Sequence, residues 1–100
     1  MLLRAACVLA VAAPLAAAAA EHTITIEGMN FQPASLVVQR GDKVKWVNKD
    51  VVPHTATAKG AFDSGQIANG ATWTWTAAKA GDVEYVCTYH PGMKAQVTVR

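Results

Sequence analysis

From Glu21 onward the apolar residues of this chain recur at every second position, and the 3.6-residue spacing of a helix is absent. That pattern restricts the fold to pleated sheet. Thr23-Ile24-Thr25-Ile26 places both isoleucines on one face. Leu36-Val37-Val38-Gln39 is a short apolar run, and Gly41-Asp42 supplies a turn after it. Lys43 to Asn48 alternates until Val47, with Val44 and Trp46 inward and the lysines outward. Thr72 to Thr76 alternates again. Gly81-Asp82 is a second turn, followed by Val83 to Cys87 and then Ala95 to Val99. Val, Ile, Thr and Trp dominate these segments, as half-buried pleated surfaces favour. Six or seven short strands at this spacing predict an all-β chain, a β-sandwich. Its expected core is Ile24, Ile26, Phe31, Val44, Trp46, Val83, Tyr85 and Val97. Residues 49–71 read as a long irregular connection with one strand at His54 to Ala58.

The segment before Glu21 is of another kind. Arg4 is its single charge, and an Ala-, Val- and Leu-rich stretch follows, ending in five alanines from Ala16 to Ala20. A positive start, an apolar middle and a small-residue exit describe a cleaved export leader. The apolar stretch of 16 residues, interrupted by Pro14, is short for a membrane span, which wants about 20. The expectation is therefore a leader over 1–20, no stable membrane insertion, and one exported domain over 21–100, placed in the periplasm. At 80 residues that domain is small enough to need a staple. A disulfide cannot supply it, because losing Cys7 leaves Cys87 alone. A bound metal can. Removing Arg4 leaves eight basic and seven acidic residues, a net charge of +1, with no like-charge block. A nucleic-acid footprint would need a basic stripe, so that class is excluded.

Cys87-Thr88-Tyr89-His90-Pro91-Gly92-Met93 carries the chemistry. A thiolate, an imidazole and a thioether recur at three-residue steps, as the chain leaves a strand for a turn forced by Pro91 and Gly92. A tight loop can aim all three at one point, and His54, on a different strand, offers a second imidazole. Two imidazoles, one thiolate and a weak axial thioether form the ligand set of a blue-copper electron-transfer site. Thiolate and thioether suit Cu(I), and imidazole serves Cu(I) and Cu(II). A site that fully satisfies neither state rearranges little when an electron arrives. Zinc sites seldom use a thioether. An iron–sulfur cluster wants more thiolates, and the Cys-x-x-Cys-His of attached haem is absent. Taken singly, each residue has an ordinary reading: a buried apolar Cys, a loop histidine, a core methionine. Their joint spacing in an exported β-chain favours one copper ion, cycling between Cu(I) and Cu(II), at His54, Cys87, His90 and Met93. His22 reads as a solvated strand start. Ser35 and Ser64 are the only serines, and neither sits in a Gly-x-Ser-x-Gly elbow.

The chain from Ile24 to Val99 resembles the cupredoxins of the plastocyanin–amicyanin group. The resemblance rests on Met29 to Pro33, Gly41 to Asp50, Val52-Pro53-His54-Thr55, Phe62-Asp63-Ser64-Gly65 and the ligand loop. The short gap between His90 and Met93 is similar to that of amicyanins. It implies an eight-stranded Greek-key sandwich with copper at one end, Cys87 as the strong ligand and Met93 as the long axial one. It further implies that His90 lies near the surface in an apolar patch with Pro53, Pro91 and Met29, where redox partner proteins dock on a monomer. The family often has Asn directly after its first histidine ligand. Here Thr55 stands there, with a backbone N–H able to reach the thiolate and a hydroxyl able to bond across the loops.

The expected function is thus a small single-electron carrier and not an enzyme, since copper enzymes need further histidine clusters and only His22 is left over. A copper-binding module for delivery or storage is the alternative. It would favour exposed, exchangeable ligands.

Overall fold

The computed structural model describes residues 18–100; the leader expected over 1–20 lies outside the described residues up to position 17. Nine strands run in order: β1 (Glu21–Glu27), β2 (Asn30–Gln32), β3 (Ser35–Val38), β4 (Lys43–Asn48), β5 (Thr57–Ala58), β6 (Phe62–Asp63), β7 (Thr72–Thr76), β8 (Gly81–Cys87) and β9 (His90–Val99). They form two sheets, ordered β2-β1-β4-β7 and β3-β9-β8-β5-β6. β1 runs parallel to β4 and β3 parallel to β9; the remaining pairs are antiparallel. The all-β sandwich expected from the alternation is what forms. The count of nine among the described residues exceeds the expected eight because short pairings such as β5 with β6 register as strands of their own.

Alternation explains the interior. Ile24 and Ile26 of β1 and Val44 and Trp46 of β4 turn inward and are buried, while Lys43 stays exposed. Trp46 joins the two sheets. Its ring lies 5.4 Å from Tyr85 in an edge-to-face contact, 5.3 Å from Phe62 and 5.4 Å from Trp73. Such aromatic pairs each add about 0.5–1.5 kcal/mol beyond the area they bury. Seven of the eight expected core residues are buried; Val83 is half-buried against them. Burial pushes the Tyr85 hydroxyl well above its ordinary pKa, opposed in part by nearby Trp46. The two polar atoms do not align as a hydrogen bond, so Trp46 Nε1 and Tyr85 Oη are both unpartnered.

Two local expectations need correction. The strand expected at Ala95 begins at His90, so Pro91 and Gly92 lie inside β9 rather than in a free turn. The reason is pairing: Cys87 and His90 are opposite each other, and the turn is only Thr88-Tyr89. The strand expected at His54 to Ala58 shrinks to Thr57–Ala58, and His54 forms an isolated bridge with Ile67 instead.

His22 is the third correction. It is half-buried, and its Nε2 lies 2.9 Å from Oδ2 of the buried Asp42. The same carboxylate accepts the Gln39 N–H at 2.9 Å and the Ala20 N–H at 3.0 Å. It therefore ties the start of β1 to the turn before β4. The His22 hydrogen bond, followed by those from Gln39 and Ala20, holds the Asp42 carboxyl below its usual pKa of 3.8. A depressed folded-state pKa means stability that is complete above the unfolded value and lost as pH falls through the folded one. Asp42→Asn is expected to melt several degrees lower than the parent at pH 7. The gap should close as pH drops below about 3.8, as read by thermal melts across an acid series.

Candidate metal centre

β4 delivers the chain to this end of the sandwich, and Asn48 at its close shapes the loop that leads to His54. The inward register of Val44 and Trp46 continues to Asn48, which is fully buried. A buried amide must be hydrogen-bonded, and this one is. Its Nδ2 donates to the Val52 carbonyl at 3.0 Å and the Ile67 carbonyl at 2.9 Å, while its Oδ1 accepts the Asp50 N–H at 2.9 Å. Asn48 thus folds residues 49–54 back over the sheet edge. His54 is pinned at the end of that loop by paired backbone bonds with Ile67, at 3.1 and 2.7 Å.

The His54 ring is completely buried, and its two nitrogens face different groups. Nε2 lies 2.8 Å from Oδ2 of Asp50. The Asp50 carboxylate also accepts the N–H groups of Gly28 at 2.8 Å and Met29 at 3.0 Å. Both residues have positive φ, near 60°, in the tight turn between β1 and β2. Burial pushes the Asp50 carboxyl up, but the bonds from Met29, His54 and Gly28 together outweigh it and hold the pKa below 3.8. An ionised Asp50 fixes the proton on Nε2, which leaves the Nδ1 lone pair open. That lone pair points at Cys87: Nδ1 is 3.6 Å from Sγ.

Cys87 ends β8, is fully buried, and carries a free thiol. Its Sγ accepts the Thr55 N–H at 3.4 Å. The Thr55 hydroxyl accepts the Thr88 N–H at 2.9 Å and lies 3.1 Å from the Thr88 hydroxyl. The two bridges expected of Thr55 are therefore both present, and they lock the His54 loop to the Cys87 turn. A register shift between Val86 and Cys87 lets Cys87 face His90 while Val86 faces Lys94. Residues 91–93 fill the difference, and Met93 ends up buried.

The four residues singled out by sequence converge unequally. His54 and Cys87 are in direct contact. The half-buried His90 places its ring centroid 5.4 Å from that of His54. The Met93 and Met29 side chains lie near the His54–Cys87 pair, Met93 buried and Met29 exposed at the rim. Among the described residues, no three His, Cys, Asp or Glu side chains gather tightly enough to hold a metal unaided. The donor set is thus a close imidazole–thiol pair, with an imidazole and thioethers around it. That is soft and nitrogen-rich chemistry and fits copper better than a hard cation. Sequence reasoning missed Asp50 and Asn48. The signal for Asn48 was its inward register; Asp50 had only its place four residues before His54.

A family model, the Cupredoxin-like domain, matches residues 1–99. Amicyanin from Paracoccus versutus is 32% identical over 82 residues, covering 76% of this chain and 62% of its own length. Amicyanin from Paracoccus denitrificans is 31% identical over 86 residues, covering 76% and 63%. The match thus spans just under two thirds of the length of these relatives. Among solved structures, a single-site variant of amicyanin in its Cu(I) form superposes with a TM-score of 0.77 at 27% identity, covering 83% of this chain and 85% of that one. A Cu-containing nitrite reductase from Thermus scotoductus SA-01 gives a TM-score of 0.75 at 26% identity, over 80% of this chain but 22% of its own. That likeness is to one domain of the larger enzyme.

Thr55 supplies a test of the bridge between the loops. Thr55→Val removes the acceptor for the Thr88 N–H and leaves that donor without its partner. The loss should cost about 1–3 kcal/mol, read from urea unfolding midpoints at unchanged slope, and Thr55→Ser should recover most of it.

Proposed function

The chain belongs to the cupredoxin-like family, and from that premise we propose that it is an exported single-electron carrier holding one copper at His54, Cys87, His90 and Met93. The observation that carries this reading is the buried His54 Nδ1–Cys87 Sγ contact at 3.6 Å, with Nε2 of the same ring committed to Asp50. Copper bound there supplies a Cu(I)/Cu(II) couple. His54 and Cys87 offer the strong donors from the interior, and His90 offers its ring from the rim. Of the two thioethers at hand, Met93 would be the one to hold the copper, because it is buried beside the turn while Met29 is exposed.

What the chain's own residues do is hold these donors still. Asp50 orients the His54 ring. The Thr55 N–H donates to Cys87 Sγ and draws electron density from the thiolate, which tunes the site. Backbone pairing on both sides of His54 and the Thr55–Thr88 bridge leave the donors little freedom to move when charge changes. The complete burial of His54 and Cys87 speaks against a delivery or storage module, whose ligands must exchange.

The way in for electrons is the surface around His90. Val51 is 89% exposed, and Met29, Val52 and Tyr89 are exposed with it. Pro53 and Pro91, next to His54 and His90 in the chain, are exposed as well. Exposed apolar side chains on the segments that flank His54 and His90 fit a docking surface, and we assign redox partner proteins to it, meeting a monomer in the periplasm. Tyr89 donates to Gln66 Oε1 at 3.3 Å, which steadies it on that face. No helix of the described residues is long and apolar enough to cross a membrane.

One equivalent of Cu(II) added to the purified protein should give an intense blue thiolate-to-copper band with narrow EPR hyperfine splitting. Cys87→Ser should abolish both. A pale spectrum unchanged by Cys87→Ser would remove the thiolate from the site and overturn the electron-carrier reading.

A further inference from the structure

Asp42 sits at the pole opposite the candidate metal centre, and its two oxygens divide their partners. Oδ2 takes His22 and the Gln39 N–H, both at 2.9 Å, while Oδ1 takes the Ala20 N–H at 3.0 Å. Ala20 is engaged on its other side as well, because its carbonyl accepts the Lys43 N–H at 2.9 Å. Ala18, Ala19 and Ala20 are all exposed, and Ala20 is tied down there by its backbone N–H and carbonyl. The folded domain therefore begins to use the chain at Ala20, one residue ahead of β1.

We propose that export processing cuts between Ala19 and Ala20, and that the new α-ammonium of Ala20 is held by the Asp42 carboxylate. This rests on the export reading above and adds to it the cut and the role of the new terminus. The sequence alone does not choose the cut. Ala17 and Ala19 present small residues at the recognition positions for a break before Ala20, and Ala18 and Ala20 do so equally for a break after it. The fold chooses. A break after Ala20 removes the donor on Asp42 Oδ1 and the acceptor for Lys43 N–H together, and stripping a partner from a buried polar group is costly. A break before Ala20 keeps both bonds. It also turns a neutral amide donor into a cation, and a charge-assisted bond of this kind is roughly twice as strong as a neutral one. The carboxyl of Asp42 is already held ionised by its existing donors. The ammonium thus meets a preformed anion on a buried residue, joined to the half-buried imidazole of His22. With no disulfide among the described residues, this pole gains an electrostatic clasp that exists only after processing.

The full chain is produced in a Gram-negative host, and the protein is recovered from the periplasmic fraction. Intact mass and N-terminal sequencing then read the terminus. The expected product is residues 20–100, one alanine heavier than 21–100. A terminus at Glu21 or beyond overturns this inference and leaves export standing. A retained leader overturns both. The clasp is read separately by reductive methylation of that wild-type protein at neutral pH. An α-amine whose pKa is raised by one unit is about tenfold less available. Ala20 should therefore label roughly tenfold more slowly in the folded protein than in denaturant. Equal labelling in the two states overturns the ion pair.

Discussion

One carboxylate sets the geometry at the end of the sandwich that carries His54 and Cys87. Asp50 accepts the two N–H groups of the Gly28-Met29 turn and stands 2.8 Å from His54 Nε2. The turn and the histidine belong to segments more than twenty residues apart, so Asp50 is where β1–β2 and the His54 loop become one body. Without it the ring could rotate or take the other tautomer, and Nδ1 would lose its aim at Cys87. Everything else at this end adds to that constraint. Asn48 folds the loop, the Ile67 bridge stops it sliding, and Thr55 binds it to the Cys87 turn.

The same device appears at both poles. Asp42 gathers Ala20, His22 and Gln39 as Asp50 gathers Gly28, Met29 and His54. A small sandwich buries a modest core, and among the described residues no disulfide closes the loops at either end. Ionised carboxylates that each collect several N–H donors do part of that work, extending past both ends the pairing that β1 and β4 make in their ladder. Between the poles the two sheets meet through Trp46 and its aromatic neighbours. The division is physical: apolar contacts decide that the sheets stack, and the two carboxylates decide how the chain turns at the ends.

The alternation from Glu21 onward made the sandwich legible, because a period of two places Ile24, Ile26, Val44 and Trp46 on one face whatever the partner strands are. It also carried information that apolar bias hides. Asn48 is the next inward position after Trp46, and a polar residue there had to bond something. What the sequence could not show was pairing. That His90 to Met93 belong to β9 results from Cys87 facing His90 across a two-residue turn, a hairpin register that the apolar alternation does not reveal. His22 read as solvated because Asp42 lies twenty residues away in the chain. The candidate site was legible in part. The spacing of Cys87, His90 and Met93 and the place of Thr55 named the residues, whereas the Asp50–His54 bond depends on a loop whose shape Asn48 dictates.

The register shift at Val86 and Cys87 accounts for why the three-residue steps matter. In a regular antiparallel ladder, neighbours of Cys87 would alternate inward and outward, and no run of β9 could present both His90 and Met93 to it. Because Cys87 pairs with His90 while Val86 pairs with Lys94, three residues of β9 are taken up where the partner strand supplies none. Pro91 suits that excess, because it has no N–H to leave unpaired. The bulge leaves His90 half-exposed at the rim and turns Met93 inward. A buried thioether and a rim imidazole on one short strand segment are thus the product of one ladder irregularity. The proposed electron path from interior thiolate to surface ring needs that same separation.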